Sequence, residues 1–234
     1  MTPRASTTEE PTLEDIVLKR KKSPGGSNGP PGVVFIQEVP PAAKVEFERA
    51  AHSINRRKVQ LGIVGLKRAI EIFPDYFDAL ELLGTQYVKL EKFDSAIPIL
   101  SRALAVNSKS ASALYALGVT HLKTGQFIEA IESFRNAITL DPIHPNAYLM
   151  LGVAYGKIGS LEQSESALKK AYEQGGAGAA DAHLYLAGIY NKREKFGDAW
   201  RELELYLKEA RGLKDKTQIK EMIAKLKTKD KSNQ

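Results

Sequence analysis

From residue 42 onward the chain repeats itself every 34 residues, and no other feature restricts its fold so tightly. Leu83-Gly84 aligns with Leu117-Gly118 and Leu151-Gly152 at that spacing, and Leu186-Ala187 follows after 35. Three residues past each small residue stand Tyr87, His121, Tyr155 and Tyr190. Twelve past it come Ala96, Ala130, Ser164 and Ala199, and four further on Leu100, Phe134, Leu168 and Leu203. Ala103, Ala137 and Ala171 follow three later, and a weaker first copy fits the frame with Ala50, Gly62, Leu66, Ala69 and Pro74. A fixed period of this length marks a solenoid, in which each unit covers the apolar face its neighbour would expose.

Within one period the apolar residues fall in two blocks with helical spacing. Leu80, Leu83 and Tyr87 form one; Ala96, Leu100, Ala103 and Leu104 form the next. Each unit is therefore a pair of amphipathic helices. Gly125 and Gly159 occupy the short turn between them, where Glu91-Lys92 and Glu194-Lys195 stand in other copies. Pro74, Pro142 and the glycines of 175–178 end the second helix before the next unit begins. Pro98, inside one second helix, predicts a local irregularity there.

This pattern resembles the tetratricopeptide repeat (TPR) family over about 170 of the 234 residues. The copy at 111–144 carries Leu114, Leu117, Gly118, Ala130, Phe134, Ala137 and Pro142 and departs from the family only at His121. The resemblance implies an all-α, right-handed α-solenoid of about five helix-turn-helix repeats, at 43–76, 77–110, 111–144, 145–178 and 180–213. A disordered or linker arm, 1–41, precedes them, with a short extended segment near 33–38. A capping helix with a basic tail, 214–234, follows, its stripe of Ile219, Met222, Ile223 and Leu226 covering the last repeat.

Little in the chain points to catalysis. No cysteine is present, which removes thiolate chemistry, and His52, His121, His144 and His183 show no metal-ligand spacing. His121 and His183 take positions that other copies fill with tyrosine, a packing role. Gly175-Gly176-Ala177-Gly178 follows a helix and lacks the lysine of a phosphate loop, so it reads as a linker. The expectation is a non-enzyme with no cofactor, no metal and no small-molecule substrate.

By the same resemblance the first helices of successive repeats line a concave groove. Its partner-facing sites are Phe47, Glu81 and Thr85, Tyr115 and Val119, Leu149 and Val153, and Leu184. Lys89, Lys123, Lys157 and Lys192 recur five residues after each small residue. They form either a cationic rail for an acidic peptide or a row of helix-end lysines favoured by the backbone dipole. The Lys, Asn and Arg set with which some family members clamp a terminal carboxylate is missing. A mainly apolar groove suits an amphipathic helix or extended peptide, and the chain's own Val33–Ile36 segment is one candidate occupant.

The partner expected is thus a protein or peptide. Alternatives are a homo-oligomerising module, its oligomeric state left open, or binding of nucleic acid or an acidic surface through the tail. The net charge is +6, but residues 208–234 alone carry nine Lys/Arg against four acids, so the basicity belongs to a tail and nucleic acid is disfavoured. No apolar run reaches the ~20 residues of a membrane span. As it stands the sequence suits the cytoplasm. Its lead-in also resembles bacterial repeat proteins found on exported polypeptides, which suits an envelope location if upstream sequence is missing.

Overall fold

The computed structural model describes residues 19–20, 33–210 and 216–232. The linker reading of residues 1–32 and the short helical turn at Leu13–Leu18 therefore lie outside the described residues, apart from Lys19–Arg20. Those two pair antiparallel with Val33–Val34, a ladder that adds no layer to the fold.

Five helix pairs and a final helix make up the body: α1 (Pro41–Asn55), α2 (Val59–Ile72), α3 (Phe77–Lys89), α4 (Phe93–Val106), α5 (Ala111–Lys123), α6 (Phe127–Leu140), α7 (Pro145–Lys157), α8 (Leu161–Gly175), α9 (Asp181–Lys192), α10 (Phe196–Glu209) and α11 (Thr217–Ser232). Each helix packs on the one before it, the arrangement of an all-α solenoid. The interlock is the same in every repeat. Leu66, Leu100, Phe134, Leu168 and Leu203 are all fully buried, each sixteen residues after a glycine or alanine of the preceding helix. A Cβ placed on Gly84 would sit 2.6 Å from Leu100, one on Gly118 2.7 Å from Phe134, and one on Gly152 2.6 Å from Leu168. The large side chain fills the space that the missing Cβ leaves. Burying it contributes roughly 1.5–3 kcal/mol per repeat. Ser164 replaces the usual alanine at no cost in satisfaction, because its hydroxyl donates to the Gly152 carbonyl at 2.6 Å.

The turn inside each pair also repeats. Arg57, Glu91, Gly125, Gly159 and Glu194 all lie at positive φ, between 55° and 81°. A left-handed residue is what allows a helix to stop and reverse, and only two of the five are glycine. Pro98 does not interrupt α4, which runs unbroken from Phe93 to Val106. The ring is exposed and stands at the sixth position of the helix, where it withholds the N–H that would otherwise bond the Asp94 carbonyl.

The segment before α1 is extended and docks at the junction of α2 and α3. The Phe35 ring meets Phe77 edge-on at 5.4 Å. Gln37 accepts from the Phe77 backbone N–H at 3.0 Å and donates to the Asp75 carbonyl at 2.6 Å. It caps α3 from forty residues away, where the helix's own N-cap residue, Tyr76, supplies no side-chain bond. Phe35 and Gln37 thereby fix this end of the segment against the start of α3.

Repeats four and five are separated by one extra residue and a short 3-10 turn, Gly176–Ala179. A polar clamp bridges this junction. Glu165 on α8 accepts from Lys169 at 2.7 Å, from the Tyr190 hydroxyl at 2.9 Å and from Arg193 at 2.6 Å, the last two beyond the junction. The hydrogen bond from Lys169, followed by that from Tyr190 and the nearby cations, holds the Glu165 carboxyl below its ordinary value.

Two outcomes follow for equilibrium urea unfolding. Gly125→Ala and Gly159→Ala should each cost about 1 kcal/mol, whereas Glu91→Gly and Glu194→Gly should be neutral or stabilising, because the backbone strain lies with the side chain. Glu165→Gln should cost about 1–3 kcal/mol at neutral pH. A lowered folded-state value means that the stability from Glu165 is present above its ordinary value and lost as pH falls. The gap between wild type and variant should therefore narrow in acid.

Candidate functional site

Successive first helices touch one another directly, α3 with α5, α5 with α7 and α7 with α9, while the second helices meet mainly through them. The first-helix side is therefore the inner, concave one. The structure divides the residues expected to line it into two groups.

Phe47, Glu81 and Tyr115 occupy equivalent places in their helices, and each reaches the residue that begins the next first helix, 29 positions on. Phe47 stacks on Tyr76 at 5.2 Å. Glu81 accepts from the Ser110 hydroxyl at 2.6 Å, and Ser110 in turn caps α5 by accepting from Ala113 N–H. Tyr115 lies 4.9 Å from the His144 ring, and His144 caps α7 through Nδ1. Tyr115 also rests on Phe134 at 5.9 Å, and burial raises its hydroxyl pKa. Leu149, the next in this series, is only 7% exposed and packs with Leu168 and Ala182. These four side chains are engaged in joining repeats. Sequence reasoning missed this because the joining partner lies in the following copy, outside the 34-residue frame in which positions were compared.

Leu184, the fifth of the series, is different. It lines two adjoining clefts. One, of about 220 Å3, lies between α7 and α9 and includes Val153, Gly156, Lys157, Tyr185 and Lys192. The other, of about 480 Å3, lies between α9 and α11 and includes Ala187, Asn191, Leu203, Met222, Lys225 and Lys229. Gly188 borders both, and a Cβ placed there would meet nothing within 4 Å. Met222, 46% exposed, belongs to α11 and was expected on the covering stripe; here it faces the second cleft.

Thr85 and Val119 are half-buried, Val119 against the Phe134 cluster. Lys89, Lys123, Lys157 and Lys192 are exposed, and each is the last residue of its helix, where a cation is favoured next to the dipole's negative end. Lys157 and Lys192 border the first cleft. No acidic side chain lines either cleft, and Lys157, Lys192 and Lys225 make no ion pair among the described residues. Toward the opposite end of the same face, Asp78 and Glu81 stand on α3. Burial, with Glu81 nearby, pushes the Asp78 carboxyl up.

The second cleft owes its wall to the docking of α11 on α10. Ile223 and Leu226 are buried beside Leu203. Lys227 sits 4.5 Å from the Trp200 ring centre and 2.7 Å from Glu204, and Trp200 Nε1 donates to Asp230 at 3.3 Å. His183 is buried on the far side of α9. Its Nδ1 lies 2.6 Å from Glu202, and its ring rests 4.3 Å from Tyr172. It packs, as the sequence implied, and also ties α9 to α10 through a hydrogen bond no repeat position announced.

A family model described as the cilia and flagella-associated protein 70 middle TPR-like domain matches residues 80–222. The chain belongs to this family of TPR-like domains. Solved TPR structures superpose on it along most of their length. MamA from Desulfovibrio magneticus RS-1 is 18% identical, with a TM-score of 0.69, covering 76% of this chain and all of that one (100%). YrrB, described as a TPR protein with an unusual peptide-binding site, is 19% identical, with a TM-score of 0.66, covering 80% and 92%. A thermophilic TPR protein from Thermus thermophilus, TTC0263, is 16% identical, with a TM-score of 0.58, covering 79% and 98%. At these identities the likeness shows the fold. Comparison with curated protein sequences returns no match. Among the described residues no helix is long and apolar enough to cross a membrane.

Trp200 is the chain's single tryptophan. Removing residues 214–234 should shift its fluorescence to longer wavelength by exposing the ring that Lys227 and Asp230 cover; an unchanged spectrum would mean that α11 does not dock in solution.

Proposed function

We propose that this protein is a scaffold for protein interaction, a reading its TPR-like fold supports, and that it works without catalysis, by holding a peptide or helix of a partner protein against the concave face. What supports this is the pair of clefts around Leu184 and Gly188, with an apolar floor and a rim of unpaired lysines. Helices fix the shape before the partner arrives. Binding then orders little beyond the partner itself, which is how a preformed groove gains affinity. The apolar floor supplies the driving force by leaving water, and the rim orients the occupant. YrrB, whose fold this chain shares, is described as having an unusual peptide-binding site, which is consistent with the same use here.

The test is site-specific photo-crosslinking in cells. A photoreactive residue at Gly188 or Met222, on the clefts, should give discrete protein adducts. The same residue at exposed Glu132 on α6, a second helix, should give none. Adducts confined to Glu132 would overturn the proposal.

A further inference from the structure

The two clefts flank one helix, so an occupant that fills both must cross α9 at Gly188. Neighbouring helices lie about 10 Å apart. Two apolar side chains on one face of a peptide meet that separation at i and i+7 when helical, about 10.5 Å apart, whereas an extended peptide offers about 7 Å at i and i+2 or about 13 Å at i and i+4. Gly188 presents no side chain at the crossing, which lets the peptide backbone approach α9 closely. Charge then selects among such peptides. Lys157 and Lys192 border the first cleft, Lys225 and Lys229 the second, and no carboxylate stands on either wall. Four cations around an apolar floor repel a basic peptide and attract an acidic one. Lys229 is also held 5.2 Å from the Phe196 ring, which fixes its position on the rim.

We propose that the α7–α9–α11 seam is the specificity site of this protein. Its occupant is an acidic peptide segment carrying two apolar anchors, one in each cleft, with carboxylates paired to Lys157, Lys192, Lys225 and Lys229. This rests on the concave face being the partner surface and adds the partner's chemistry. Two of the four cations come from α11, so the helix that closes the solenoid also completes the site.

The experiment is selection of a random twelve-residue phage-displayed peptide library on the full chain. Gly188→Trp and a Lys192→Glu/Lys225→Glu double variant serve as counter-targets. Both changes fall on exposed positions, and circular dichroism and urea unfolding establish that they fold. Peptides enriched on wild type should contain two apolar residues and an excess of Asp and Glu. They should lose at least about tenfold in affinity on either variant, and weaken as salt rises from about 50 to 300 mM. Binders blocked by Gly188→Trp but neutral or basic in composition would overturn this inference and leave the concave-face reading intact. Binders indifferent to Gly188→Trp, or no enrichment at all, would count against both.

Discussion

One contact carries this architecture: a large apolar side chain seated over a residue that has little or no side chain, sixteen positions earlier. It occurs as Leu100 over Gly84, Phe134 over Gly118 and Leu168 over Gly152, and the buried Leu66 and Leu203 stand at the same spacing from Ala50 and Ala187, each in one cluster with its partner. Because both members lie in one helical pair, the contact is local. It sets how closely the two backbones approach, and hence the shape each repeat offers to the next. Five copies of the same approach produce a regular stack, and regular stacking brings the first helices together on one side.

A second contact explains where the stack is free to bind something else. The residue three before each small position reaches forward to the start of the next first helix, as Phe47 does to Tyr76, Glu81 to Ser110 and Tyr115 to His144. Side chains so engaged join repeats and are half-buried in doing so. For Leu184 the residue 29 positions on lies outside the described residues, and beside it the cleft between α9 and α11 encloses about 480 Å3. That cleft is where the proposed partner site lies, at one end of the groove.

The fold was legible in the sequence because its determinants repeat at fixed intervals within one unit. Gly84, Gly118 and Gly152 with their large partners suffice to pair the helices, and Gly125 and Gly159 mark the turns. The turn residues Glu91 and Glu194 were harder to place, since their left-handed backbone has no glycine to announce it. The candidate site was legible only in part. Val153, Lys157, Leu184 and Lys192 line one cleft, whereas Phe47 and Tyr115, in the same register as Leu184, are half-buried against Tyr76 and His144, and Leu149 is buried. Met222, Lys225 and Lys229 were missed as groove residues because α11 lies outside the repeat. The dual role of Gln37, cap of α3 and anchor of the preceding segment, depends on a contact across forty residues that no periodicity encodes.

The most direct measurement is a double-mutant cycle on Gly118 and Phe134 by equilibrium unfolding, with Gly188→Ala as a reference. Gly118→Ala should destabilise wild type, since its Cβ would meet Phe134 at 2.7 Å, and become neutral or stabilising once Phe134→Ala has emptied the space. The coupling should be about 1–3 kcal/mol. Gly188→Ala, into open space, should stabilise by about 0.5–1 kcal/mol as a helix-interior glycine replacement. If Gly118→Ala and Phe134→Ala instead add independently, the interlock does not set the helix approach and the account of this solenoid fails.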